Sequence, residues 1–117
     1  MCGIAGYYGF EFIDTKKLNI TLGLMKNRGP DASGIIKKKL GKKKLYFLHS
    51  RLSIIDLDKR ANQPFIYKNL LLVFNGEIYN YIELRNDLIK VGYKFETNSD
   101  TEVLIKSIEY FGKRVFD

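Results

Sequence analysis

Cys2 directly follows Met1. Removal of the initiator methionine is expected when the second residue is small, and it leaves a thiol and an α-amine on one residue. An α-amine has a pKa of about 7.7–8.0, so near neutral pH a useful share of it is unprotonated and can take the proton of its own thiol. Such a nucleophile needs no histidine partner, which suits a chain whose single histidine is His49. Gly3, Ala5 and Gly6 are small enough to let backbone pass close by. Away from this position, a lone cysteine is more often an inert small hydrophobe.

A cysteine that cleaves an amide also needs donors aimed at the developing oxyanion. Losing one such donor typically costs roughly 3–4 kcal/mol of transition-state stabilisation. Asn75-Gly76, at the end of the apolar run Leu70–Phe74, can supply a side-chain amide and a backbone N–H. The bland alternative is a hairpin turn. A free amino-acid substrate brings a carboxylate and an ammonium. Arg51 can hold the first in a bidentate fork, and Asp100, in the first turn of a helix, can accept the second. Each is by itself more often a surface charge or a helix-start acid, so the argument lies in the set.

The elements that must position these residues follow from the rest of the 117-residue chain. Residues 4–10 read as a buried strand, and Asp14 caps a helix over residues 15–26 with Leu18, Leu22 and Met25 on one face. Asn27–Gly34 (NRGPDASG) is turn chemistry. Two strands, residues 34–39 and 44–50, flank the lysine-rich segment 37–44, with a turn at Leu40-Gly41. Residues 52–57 read as a short extended piece, 58–63 as a surface loop, and 70–74 as a strand buried on both faces. Asn80 with Glu83, and Ser99 with Glu102, are capping-box patterns. They open a helix over residues 81–91 (Tyr81, Leu84, Leu88 and Val91 inward, Gly92 ending it) and a second carrying Leu104, Ile108 and Phe111, closed by Gly112. Residues 93–97 read as a strand between them. Strands adjacent in sequence mixed with helices predict an α+β fold, helices layered on largely antiparallel sheets.

Composition narrows the function class. No stretch approaches the ~20 apolar residues of a membrane span, and no signal peptide is visible. One cysteine excludes an internal disulfide and fits a cytoplasmic protein. The net charge of +7 is concentrated in six lysines between Lys37 and Lys44. No aromatic interleaves them, so a solvated hairpin is preferred to a nucleic-acid surface. The chain stops at Val115-Phe116-Asp117 as a new element would begin, so a longer polypeptide is expected.

MCGIAGYYG, NRGPDASG, HSRLSIIDL, ANQPF, FNGEIYNY and NSDTEV stand in that order along nearly the whole chain. Together they resemble the class II glutamine amidotransferase domain, an N-terminal-nucleophile hydrolase, and in particular its asparagine synthetase branch. The resemblance implies an αββα sandwich, here incomplete at the C-terminus, with residues 1–117 as the N-terminal part of a glutaminase domain. It implies L-glutamine as substrate, hydrolysed through a Cys2 thioester to glutamate and ammonia. Asn75 and Gly76 would form the oxyanion hole, Arg51 would bind the α-carboxylate, and Asp100 with Glu77 the α-amino end. Arg28-Gly29-Pro30-Asp31 would shape the site, and His49 would be structural. Asn27 stands where the family usually has histidine. The partner would be an ammonia-accepting synthetase domain, absent here. No cofactor is expected in this chain, and ATP and magnesium only in that domain. Neither nucleic acid nor membrane is expected as a partner. The rival readings are an inactive truncated remnant, an ammonia donor to an acceptor other than aspartate, and a basic nucleic-acid-binding module.

Overall fold

The computed structural model describes residues 1–116. Strands β1 (Gly3–Gly9), β2 (Ala32–Leu40) and β3 (Lys43–Arg51) form an antiparallel sheet in the order β1-β3-β2. Helix α1 (Thr15–Met25) covers one face, where Leu18, Tyr46 and Leu48 form a core ringed by Ala5, Tyr7, Ile13, Leu22, Met25 and Ile35. Asp14 caps α1 as expected, its side chain accepting the Lys17 N–H at 2.8 Å. β1 is not buried on both faces: its residues alternate, and Ile4 and Tyr8 point outward.

The lysine segment is a hairpin, with Leu40 opposite Lys43 and the turn at Gly41-Lys42, one residue later than expected. Gly41 has φ +63°, the left-handed backbone that such a two-residue turn needs. Several lysines are held locally. Lys44 Nζ donates to Phe10 O (3.0 Å), Lys37 Nζ to Thr15 Oγ1 (2.7 Å), and the Lys43 ammonium lies 4.9 Å from the Tyr8 ring centre.

The rest of the chain packs around α3 (Asp100–Phe111), with α2 (Tyr81–Lys90) and a short hairpin of β4 (Phe65–Tyr67) and β5 (Leu70–Leu72) against it. The expected strand 70–74 is thus a three-residue, half-buried edge paired with a strand that periodicity could not reveal. Single 3-10 turns follow at Lys59–Ala61 and Gly112–Phe116. Residues 52–57 and 93–97 are irregular rather than extended strands. In 93–97 the backbone groups pair with side chains of the flanking helices. Glu96 and Thr97 N–H donate to the Glu102 carboxylate (2.7–3.2 Å), and Arg85 Nη1 donates to Thr97 O (2.7 Å).

The caps divide likewise. Ser99 Oγ accepts the Glu102 N–H at 3.2 Å, but Glu102 turns to residues 96 and 97 instead of back to Ser99. Asn80 makes no side-chain cap, because its backbone (φ −98°, ψ 26°) lies outside the extended region that N-capping requires. Val91 is 51% exposed, so the inward stripe of α2 ends at Leu88. α3 is buried nearly all round from Asp100 to Ser107 instead of along one stripe. Gly92 and Gly112, with positive φ, end their helices as expected. Among the described residues, no helix is long and apolar enough to cross a membrane.

Candidate active site

Cys2 precedes β1, and the Gly3–Ser50 pairing sets it beside the end of β3. The Leu52 N–H donates to Cys2 Sγ at 3.3 Å, and the thiol points back at Leu52 O at 3.7 Å. The Arg28-Gly29-Pro30-Asp31 loop fixes that arrangement. Asp31 N–H donates to Arg51 O (3.0 Å), Ser53 N–H donates to Asp31 Oδ2 (2.7 Å), and Arg28 Nε donates to Cys2 O (3.4 Å). Gly29 is required there: a Cβ would sit 2.1 Å from Ser50 O.

Arg51 ends β3 and is only 7% exposed. The loop that follows wraps around its guanidinium, which explains why residues 52–57 do not form a strand. Nη1 donates to Asp58 O (3.0 Å) and Asn62 Oδ1 (2.7 Å), and Nη2 donates to Asp56 O. These bonds use three of the five guanidinium donors. Nε–H and one Nη2–H have no protein partner among the described residues. Nε and Nη2 share one edge of the planar group, the fork that matches a carboxylate.

The second wall comes from the other half of the chain. Residues 73–77, after β5, carry Asn75, Gly76 and Glu77, all exposed toward the space in front of Cys2. Phe74, just before them, donates its N–H to Gln63 Oε1 (2.6 Å), while His49 Nε2 lies 3.4 Å from its carbonyl oxygen. Asp100 opens α3, is 6% exposed, and accepts the Ile78 N–H at 3.1 Å through Oδ2. Burial pushes its carboxyl above the usual range, with the nearby Glu77 charge adding to this and the backbone N–H donors opposing it.

Cys2, Arg51, Asn75, Gly76, Glu77 and Asp100 line one cavity of about 400 Å³, within the range of small-molecule sites. Met1 lies at the same cavity, together with Leu52, Gln63 and Thr101. Sequence reasoning missed Leu52, whose contribution is a backbone N–H that no residue type advertises. It also quoted Gln63 only as part of ANQPF. His49 is fully buried in the central strand, and its Nδ1 has no partner among the described residues. Burial pushes its pKa below the ordinary value; the Phe74 contact opposes this and Arg51 adds to it. Among the described residues, no group of three or more His, Cys, Asp or Glu side chains could hold a metal ion.

A half-buried cysteine thus shares one cavity with an Asn-Gly pair, a buried arginine and a buried acid. The sequence profile of the glutamine amidotransferase domain matches residues 1–117, and the chain belongs to that family. Among its relatives is asparagine synthetase [glutamine-hydrolyzing] 1 of Bacillus subtilis, 38% identical over 95% of this chain and 18% of its own length. Putative asparagine synthetase [glutamine-hydrolyzing] 2 of Methanocaldococcus jannaschii is 34% identical over 96% and 24%. Asparagine synthetase [glutamine-hydrolyzing] of Brassica oleracea is 37% identical over 100% and 20%. The chain thus spans about a fifth to a quarter of the length of these relatives.

Proposed function

We propose that this chain carries the glutamine-hydrolysing site of an amidotransferase, with its elements part of an αββα N-terminal-nucleophile sandwich. The observation that carries the reading is the convergence of Cys2, Arg51, Asn75, Gly76, Glu77 and Asp100, from both ends of the sequence, on one cavity. Once Met1 is removed, the freed Cys2 α-amine takes the thiol proton, and Sγ attacks the side-chain amide carbon of glutamine. The Leu52 N–H holds the sulfur in place at 3.3 Å. The Asn75 side-chain amide and the Gly76 N–H receive the oxyanion. As the tetrahedral intermediate collapses, the C–N bond breaks, the α-ammonium returns a proton to the departing nitrogen, and ammonia leaves. Water then attacks the thioester, the α-amine taking its proton; the C–S bond breaks, the α-ammonium returns the proton to Sγ, and glutamate is released.

The substrate's charged end is held at a distance from the bond that breaks. The Nε–Nη2 edge of Arg51 takes the α-carboxylate, while Asp100 and Glu77 take the α-ammonium. The raised pKa of Asp100 fits this role, because a buried carboxylate without a cation gains most when an ammonium arrives. The relatives are named as glutamine-hydrolysing asparagine synthetases, which supports amidation of aspartate in a synthetase domain as the eventual use of the ammonia.

The test is mass spectrometry of the N-terminal peptide after exposure to a glutamine-mimicking diazoketone, beside steady-state glutamine hydrolysis. Label on Cys2 with Met1 gone, protected by glutamine, and a loss of more than about a thousandfold in hydrolysis in Cys2→Ala are expected. Hydrolysis that survives Cys2→Ala sinks the proposal.

A further inference from the structure

Residues 73–80 lie between β5 and α2 and belong to neither, so no ladder or helix positions Asn75 and Gly76. Among the described residues, neither of their backbone N–H groups has a protein partner. Oxyanion donors must nevertheless sit about 2.7–3.1 Å from the developing charge, and a misplacement of about 1 Å can cost on the order of 100-fold in rate. Something else must hold this loop.

Both polar groups of Phe74, the residue before Asn75, face side chains. Gln63 Oε1 accepts its N–H at 2.6 Å, and His49 Nε2 lies 3.4 Å from its carbonyl, placed to donate. Neither side chain is free to drift. Gln63 Nε2 donates to Thr101 Oγ1 (3.2 Å), one residue after Asp100. The Gln63 backbone is seated directly against the sheet at Gly34, where a Cβ would lie 2.3 Å from Gln63 O. Gly34 is in turn the cross-strand partner of His49. One rung of the sheet therefore anchors both jaws of a clamp whose other end reaches the start of α3.

We propose that Gln63 and His49 are positioning residues for the oxyanion site, gripping the Phe74 peptide from both sides and so aiming Asn75 and Gly76 at Cys2. The proposal rests on the role assigned above to Asn75 and Gly76. Neither side chain touches the reacting atoms. Their contribution is angle and distance, and it belongs to the chemical step and not to substrate affinity.

The experiment compares the full chain with Gln63→Leu and His49→Leu, together with His49→Gln, which restores an amide N–H where Nε2 stood, and Gln63→Glu, which restores an acceptor for the Phe74 N–H. Amide hydrogen exchange is followed at Phe74, whose N–H Gln63 holds. In Gln63→Leu it is expected to quicken there about tenfold or more, with the β3 amides unchanged. The kcat for glutamine is expected to fall about 10- to 100-fold with KM within about threefold, and His49→Gln to recover most of the loss. Gln63→Leu leaves the core around Leu18 untouched, so it carries the test if His49→Leu does not fold. Unchanged loop exchange in Gln63→Leu overturns the clamp, as does a change confined to KM. If the parent chain itself hydrolyses no glutamine, the functional reading falls, and the exchange measurement still decides the clamp.

Discussion

The two halves of this molecule bury their interiors by opposite means. β1, β2, β3 and α1 close over Leu18, Tyr46 and Leu48, an apolar core. In the half built on α3, residues Asp100, Thr101, Glu102, Lys106 and Ser107 are buried alongside Val103 and Ile105. Glu102 is the hub of this second interior. It accepts N–H groups of Glu96 and Thr97, the Thr97 hydroxyl (2.6 Å) and the Lys106 ammonium (2.5 Å). Lys106 donates also to Lys94 O (2.5 Å) and lies 4.6–4.9 Å from the ring centres of Phe95 and Tyr67. Apolar packing is non-directional and makes a platform. Hydrogen bonds to an ion fix angles, and here they fix the backbone leading into Asp100. The difference teaches that direction is supplied where an acid must be aimed, and bulk where a strand must be supported.

Breaking each interior separately tests that contrast. Lys106→Met strands a buried carboxylate and is expected to cost about 3–5 kcal/mol by urea unfolding, with Glu102→Gln in the same chain recovering part of it. A cost below about 1 kcal/mol would mean the polar interior is incidental. Leu48→Ala is expected to cost about 2–5 kcal/mol, with no such recovery from any charge change.

Asp100→Asn sharpens the contrast at the site. Titration calorimetry on a Cys2→Ala background should show glutamine binding weakened about 10- to 100-fold. The free protein should become slightly more stable in thermal unfolding, because burial disfavours the Asp100 charge. The smallest effect concerns pH. Burial lowers the pKa of His49, so just below the ordinary value of 6.5 the unfolded chain binds a proton that the native chain refuses. Stability should therefore fall as pH drops below that value, by at most about 1.4 kcal/mol per pH unit from this residue. Urea midpoints between pH 7.5 and 5 should lose that increment in His49→Gln.

Much of the apolar half was legible because its signals are local. Asp14, the Leu18–Leu22–Met25 spacing and Gly41 each act on their own neighbours. In the polar half the same rules failed at Glu102 and Asn80. Ser99 and Glu102 match a capping box in type and spacing, yet Glu102 bonds to the Glu96 and Thr97 backbone ahead of the helix and to Lys106 one turn further along it, partners that the capping-box pattern does not include. β4 escaped notice because three residues between Pro64 and a Lys68-Asn69 turn carry no period. Of the site, the six residues nominated from the sequence, Gly76 among them for its backbone N–H, line one cavity. What could not be read were the Leu52 N–H, a backbone donor outside any turn motif, and Gln63, a side chain whose partner is the Phe74 peptide.

His49 is the chain's only histidine, and it sits where the sheet meets the loop before Asn75. Its two carbon-bound ring protons therefore give one isolated pair of proton resonances from the junction of the two halves. Ligand-induced movement of that junction can be followed in an unlabelled sample, with no probe introduced.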